Sequence, residues 1–474
     1  MAQETVNVTV GGSGRRSVRA AAALPEPDQA RPVRSLYIHT PFCSHKCHYC
    51  DFYSFVDDGT WGKDVQGAFV ERLIGELRAL APWARGAPLR TVFVGGGTPS
   101  LLRIELWERL LRVLGEEFDL SLIRGAGGVN VAVTAELAIG GRVGAGDAAG
   151  GDGQSPPAAA PLRARAYDRA LPEFTVECNP ESASAALMSV LRAGGVTRVS
   201  MGAQSFVARH LETLERTHNP ENVARGIENA RRAGIGRQSV DLIYAIPGQT
   251  TTEWEDDLAG ALALGTTHLS CYNLTYEPQT QMTARLRRGE FAPVDEETEA
   301  EMFEAATRLL EARGLRRYEV SNYAVPGMES RHNLAYWLQE DWLAAGPSAS
   351  GHVRGVRTKN VGNLRMYLEG EGTSLLSEAE PVDPVRAVRE RLMTGVRLAR
   401  GVDAAEMVAA AESVAPGAGE RLARVAEELK GDGLLAPDAE RWRVDGERGW
   451  LLADWIAKRL MAAVGERPLT ASDK

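Results

Sequence analysis

Cysteine is scarce, with five residues in 474. So sparse and odd-numbered a set does not staple a fold together and suits a reducing compartment. No run approaches the roughly 18 uninterrupted apolar residues of a membrane span. The N-terminus also lacks the apolar core of about 7 to 15 residues that marks a secretory signal. A cytoplasmic protein without stable membrane insertion is therefore expected. Arg15, Arg16 and Arg19 beside an alanine run leave an organellar transit peptide as the alternative to a disordered tail over residues 1–33. Positive charge is not in excess either, since 54 Lys and Arg face 63 Asp and Glu. A general nucleic-acid binder needs a basic face to neutralise phosphates, so that class is disfavoured. What is present is ordinary for a globular chain that buries a large core, with 44% hydrophobic and 25% charged residues.

Length alone suggests about three domains, but barrels of ~250 residues count as one, so two domains with irregular segments are expected. Short β-rich runs alternate with amphipathic stretches. The β runs are Leu36–Ile38, Thr91–Val94, Phe174–Glu177, Arg198–Met201, Ser239–Ile243 and His268–Tyr272. Helical spacing connects Phe69, Leu73, Leu77 and Leu80, and again Leu106, Leu110 and Leu114. Six such units imply an α/β fold, a partial (βα)6 TIM-like barrel over residues 34–290 with helices on its outer face. Chemistry in such barrels sits on loops after the C-terminal ends of strands. The suspicious residues fall on that rim: Cys43, the Gly95–Pro99 run, Glu177, Gln204, Asp241 and Asn273.

Residues 121–172 break the rhythm, since 27 of 52 are Gly, Ala or Pro. They read as a largely disordered loop insertion, with a functional lid as the alternative. An extension covers 291–380. From 381 to 465 the pattern is that of a small C-terminal helical, winged-helix-like domain: helical runs Val385–Met393 and Arg421–Leu429, a wing from Gly433–Ala436 and Arg441–Val444, and a last helix from Trp450 to Leu460. Its opposite charges nearly cancel, so packing or a partner role is expected there before DNA binding.

Three of the five cysteines, Cys43, Cys47 and Cys50, crowd one loop at spacings of four and three. A 4Fe-4S cluster normally takes four cysteinates, so three would leave one iron open to another ligand. A zinc site completed by His39, His45 or His48 is the rival reading. Downstream, Gly95-Gly96-Gly97-Thr98-Pro99 lets a ligand approach backbone closely. Glu177, Gln204, Arg216 and Asp241 form a polar set suited to a zwitterion bearing a ribose, with Arg216 able to fork onto a carboxylate.

The phrases Tyr37–Cys43, Phe93–Leu102, Gly202–Phe206, Arg216–His218, Asp241–Tyr244, Pro247–Thr250 and Tyr318–Ala324 resemble the oxygen-independent coproporphyrinogen III oxidase family of radical S-adenosylmethionine (SAM) proteins. The resemblance runs from about residue 34 to 460. It implies a radical SAM barrel whose cluster, held by Cys43, Cys47 and Cys50, binds S-adenosylmethionine through its open iron. It places Tyr37, Tyr49, Gly96, Gly97, Thr98, Glu177, Gln204, Arg216, Asp241 and Thr275 on cosubstrate positions. Two lineages share the family: oxidases that decarboxylate propionates, and heme chaperones. Phe52 stands where the oxidase carries a further cysteine. His332-Asn333-Leu-Ala-Tyr336-Trp337 resembles the HNxxYW heme motif of the chaperones, with His332 as axial ligand and Tyr336 and Trp337 against the macrocycle. A buried, hydrogen-bonded histidine with two packing aromatics is the plainer alternative. The resemblance thus implies a chaperone that binds heme and passes it to acceptor hemoproteins such as respiratory enzymes, with a homodimer as the candidate assembly. Ala245, where relatives often have Gly, is a small-for-small departure.

Overall fold

A computed structural model gives the structure of residues 23–126 and 171–465, apart from positions 58, 60, 62, 63 and 217. Six parallel strands neighbour one another in chain order: β1 (Ser35–Thr40), β2 (Thr91–Gly96), β3 (Glu173–Cys178), β4 (Arg198–Gln204), β5 (Arg237–Tyr244) and β6 (His268–Asn273). Each contains one of the runs expected from sequence. Between and after them lie α1 (Val65–Leu80), α2 (Ile104–Glu117), α3 (Ala185–Ala193), α4 (Pro220–Arg232), α5 (Thr251–Ala263) and α6 (Glu296–Glu311). The caps explain where several of these begin. Asp64 accepts from Gly67 N ahead of α1, and Thr250 with Glu253 closes a capping box on α5. Phe69, Leu73, Leu77 and Leu80 of α1 and Leu106, Leu110 and Leu114 of α2 are buried as their spacing implies.

The strand period of two sorts side chains between two faces. In β5, Val240 and Leu242 are fully buried under the helices. Asp241 faces the lumen, where Ser200 Oγ of β4 and Ser270 Oγ of β6 both donate to it. At the start of the strands the lumen carries Glu173, Arg198, Arg237 and His268, all buried. The lumen is therefore polar along its length and the greasy core lies between sheet and helices.

The six-strand expectation is exceeded. A short strand β9 (Leu343–Ala345) adds in parallel outside β1, and an antiparallel pair, β7 (Arg316–Glu319) and β8 (Asn322–Ala324), extends the sheet beyond β6. Strands of three or four residues carry no readable alternation, so sequence could not show them. The extension is tied to the barrel by Glu76 of α1, a fully buried carboxylate. It accepts from Gly346 N at 3.0 Å, Tyr367 hydroxyl at 2.8 Å and Asn360 Nδ2 at 3.2 Å. Within the extension, helix α7 (Arg331–Trp337) lies over the N-terminal mouth of the barrel, because Ser330 Oγ and His332 N both donate to Glu173, the first residue of β3.

The last domain has its own core around Leu392, Met407, Leu422, Trp442, Ile456 and Leu460. It consists of α8 (Pro384–Gly395), α9 (Ala404–Val414), α10 (Ala418–Gly431) and α11 (Ala453–Val464). Its small sheet pairs Val402–Asp403 with Arg441–Trp442, with a bridge from Leu435 to Val444. The tail expected over residues 1–33 is corrected from the point where it is described. Val33 N donates to Trp83 O at 2.8 Å and Trp83 Nε1 donates to Pro25 O at 2.6 Å, so this stretch packs on the barrel. Of the insertion, 121–126 form a short helix; positions 1–22 and 127–170 lie outside the described residues. Among the described residues no helix is long and apolar enough to cross a membrane.

Candidate active site

A cavity of about 540 Å³ opens at the C-terminal ends of the strands. Cys43, Cys47, Tyr49, Cys50, Gly96, Gly97, Thr98, Glu177, Gln204, Arg216, Asp241 and Thr275 all line it. Residues up to 232 positions apart in sequence thus meet on one rim, from Cys43 to Thr275. Tyr37 stands apart from the lining. Its hydroxyl is 3.1 Å from His39 Nδ1 and its ring stacks on Phe93 and His332 inside the lumen.

The glycine run fits for a reason that sequence did not reveal. Gly96 has φ +106°, and a Cβ there would lie 2.5 Å from the His39 ring; a Cβ on Gly97 would lie 2.7 Å from Phe42 O. The run is needed first for seating the cysteine loop on β2. Gly97 N and Thr98 N then donate to Thr40 O and Phe42 O, each at 2.7 Å, which fixes that loop. Thr98 Oγ1 in turn lies 3.6 Å from Cys43 Sγ.

Beside Cys47, Arg216 donates from Nη2 to Asn179 Oδ1 at 3.0 Å and to Gly202 O at 2.8 Å. Its Nη1 lies 3.7 Å from Cys47 Sγ, and its Nε is buried without a hydrogen-bond partner. Such a group is costly to leave unmet, and a ligand carboxylate would meet it. Glu177 accepts from Gly96 N at 3.1 Å. Burial first and neighbouring Asp241 second push its carboxyl up to about 8. Burial also raises Asp241, against the hydroxyls of Ser270 and Ser200 that donate to it. Two half-buried carboxyls facing one cavity create a demand for a cation. Gln204 holds φ +64° at a register shift in β4, a backbone strain that turns it onto the rim.

The residues fit the implied groups. A single zinc ion draws its ligands to about 2.0–2.3 Å from one point. Among the described residues no group of three or more His, Cys, Asp and Glu is placed to hold a single metal ion. Of the histidines named for zinc, His39 Nε2 lies 2.8 Å from Tyr53 O and His48 Nδ1 lies 3.2 Å from Arg285 Nη1, while His45 Nε2 lies 2.6 Å from Glu215 O and 3.6 Å from Cys47 Sγ. Three thiols around one wall suit a larger unit whose irons are held separately. Burial raises the Cys43 thiol and pushes Cys50 up to about 11, so thiolates form there only as a metal displaces the protons. Sharing the cavity with them are an unmet guanidinium nitrogen and two half-buried carboxyls, the complement of an amino acid.

The HNxxYW residues do not join this cavity. His332 is 1% exposed. Its Nδ1 lies 2.8 Å from Thr91 Oγ1, its Nε2 lies 2.8 Å from Tyr336 hydroxyl, and its ring stacks on Phe93. Both nitrogens are used, the arrangement of a core histidine. Asn333 Nδ2 donates to Tyr318 hydroxyl at 3.1 Å. Trp337 leaves the lumen and lines a groove against the last domain.

Sequence reasoning missed Asn179, which joins Arg216 to Thr98 by donating from Nδ2 to Thr98 Oγ1 at 3.2 Å. It lies two residues beyond Glu177 and so on the same side by the strand period, a signal that was available. It also missed Asp257 of α5. This buried carboxylate accepts from Ser205 Oγ at 2.8 Å, Phe206 N at 2.5 Å and Gln249 Nε2 at 3.3 Å, clamping the turn behind Gln204. No local signal marks it.

The Radical SAM superfamily profile matches residues 37–259. A heme chaperone HemW of Lactococcus lactis is 33% identical over 367 residues, covering 77% of this chain and 82% of the relative. A heme chaperone HemW of Mycobacterium tuberculosis is 33% identical over 450 residues, covering 94% and 98%. Among solved structures, the coproporphyrinogen III oxidase HemN of Escherichia coli matches with a TM-score of 0.69 at 20% identity, covering 92% of this chain and 91% of that one. At that identity the likeness shows the fold alone. The chain belongs to the heme chaperone HemW family, built on a radical SAM fold.

Proposed function

We propose that the protein is a heme chaperone: it binds heme, a 4Fe-4S cluster and S-adenosylmethionine, and transfers heme to acceptor hemoproteins. The observation that carries this reading is full-length likeness to HemW relatives together with a cavity into which one loop brings three thiols, with Phe52 at its rim. Cys43, Cys47 and Cys50 hold the cluster. Arg216 takes the carboxylate of the cosubstrate, and Glu177, Gln204 and Asp241 take its ammonium and ribose hydroxyls. When bound, the cluster supplies the electron that breaks the sulfonium carbon-sulfur bond. This chain's own part is to keep water and misplaced ligands out and to orient the zwitterion. Respiratory enzymes as acceptors, a homodimer as the working unit and a cytoplasmic location belong to the same proposal.

Anaerobic reconstitution tests it. Four irons per chain, saturable heme binding and transfer of that heme to an apo-hemoprotein are the expected results. Conversion of coproporphyrinogen III to protoporphyrinogen by the same preparation would replace the reading with that of an oxidase.

A further inference from the structure

The motif helix has two ends with different surroundings. His332 is shut into the lumen, whereas Trp337 opens onto a groove of about 310 Å³ between the end of α7 and the last domain. That volume lies at the low end of small-molecule pockets, roughly 300–1,000 Å³, enough for one edge of a macrocycle. The groove is lined by Leu338, Leu398 and Met407 as its apolar floor and by Arg391, Arg400 and Arg441. Two acids share it, and both have other duties. Asp403 caps α9 by accepting from Glu406 N at 2.8 Å. Glu406 pairs with Arg391 across a solvent-exposed contact, with side chains 62% and 38% exposed. Exposed ion pairs of this kind exchange readily, so an incoming carboxylate can take Arg391 from Glu406. Arg441 is fixed by donating from Nε to Arg400 O at 2.7 Å and from Nη2 to Gly401 O at 2.8 Å. Its charge is therefore held at the groove wall rather than swinging in solvent.

We propose that this groove seats the carboxylate edge of the tetrapyrrole cargo, with Trp337 against the ring and Arg391 and Arg441 facing the propionates. This inference rests on the heme-chaperone reading and specifies its binding site. An aromatic face beside paired guanidinium groups complements a flat apolar ligand that carries acids on one edge. It also places the cargo next to the last domain, which gives that domain a role that needs no nucleic acid.

The test compares heme with its dimethyl ester, which keeps iron and ring but has no free propionate. Both are titrated into the full-length, cluster-loaded protein and its variants. The parent is expected to bind heme at least tenfold more tightly than the ester. Arg391→Glu should lose about tenfold in heme affinity and leave ester binding unchanged. Glu406→Gln, which removes the competing carboxylate, should tighten heme. A damaged fold cannot produce that gain. Equal affinity for heme and ester in the parent, with both charge variants unchanged, would overturn the groove while leaving the chaperone reading in place. If the parent binds neither ligand, the chaperone reading falls and takes this site with it.

Discussion

Thr91 Oγ1 and His332 Nδ1 lie 2.8 Å apart, so the imidazole of the heme-associated motif is bonded to the first residue of a barrel strand. Tyr336 holds the other nitrogen. An iron can reach this histidine only if helix α7 lifts from the barrel mouth. Thr91→Val keeps the shape and removes the partner of Nδ1, at an expected cost of about 1–3 kcal/mol for the unmet buried group. Urea unfolding should show that loss with an unchanged m-value. Were His332 the axial ligand, heme would bind this variant more tightly, because ligation has to open the closed arrangement that Thr91 helps to hold. Unchanged heme affinity at reduced stability would mean that α7 stays closed when heme binds.

The same burial predicts a pH dependence. Burial lowers the His332 imidazole to about 4. The unfolded side chain titrates near 6.5, so between about pH 6.5 and 4 the unfolded state takes up a proton that the folded state refuses. Stability contributed by the neutral imidazole is thus fully present above pH 6.5 and drains as pH falls. At pH 5 the loss is about 2 kcal/mol for this group. His332→Gln should flatten the fall in unfolding free energy between pH 7 and pH 5 by that amount. His39 and His218, also lowered to about 4 chiefly by burial, keep part of the slope. A variant slope equal to that of the parent would show the imidazole to be solvated.

The six barrel strands were legible because Val92, Val94, Val199, Val240 and Leu242 belong to runs that must be buried on the helix side. The rim was legible because the three thiols and the glycine run stand next to those strands. The lumen was not. Glu173, Arg198, Arg237 and His268 are isolated polar residues in sequence, and they become a layer only when parallel register aligns the strand starts. The fate of His332 was hidden for a related reason. Its partners Thr91 and Phe93 lie about 240 residues away, so sequence carried the motif and not its orientation. Glu76 and Asp257 are single acids on amphipathic helices with no local signal to mark them, and both are buried.

Asp257 acts on the site without touching it. Ser205 Oγ, Phe206 N and Gln249 Nε2 all converge on its carboxylate, and the preceding Gln204 is held at φ +64°. Asp257→Ala leaves these buried donors unmet and should cost about 3 kcal/mol or more. Asp257→Asn retains one acceptor and should cost less. Cosubstrate affinity, read from the change in the reduced cluster's electron paramagnetic resonance signal on titration, should fall at least tenfold in the alanine variant and recover in the asparagine variant. Iron content should not change. Loss of iron in parallel with affinity would point to general collapse and not to a displaced Gln204.

Phe52 stands two residues beyond the third thiol, and its surroundings say how much a cysteine there would matter. The side chain is 62% exposed at the cavity rim. Its carbonyl accepts from Lys46 Nζ, which also donates to Ser54 Oγ at 3.0 Å, so the backbone at this point is pinned by the loop itself. Cys43, Cys47 and Cys50 already line the wall. An exposed thiol at position 52 would add a group to solvent more than to the cluster. Phe52→Cys should therefore hold the parent's iron per chain, bind cosubstrate as the parent does and form no protoporphyrinogen from coproporphyrinogen III. Cys47→Ala, in contrast, removes one of the three thiols proposed to hold the cluster together with the sulfur 3.7 Å from Arg216 Nη1, and should lower iron content to near zero. Measurable decarboxylation by Phe52→Cys would show that this single rim residue, and not the wider chain, divides the two lineages.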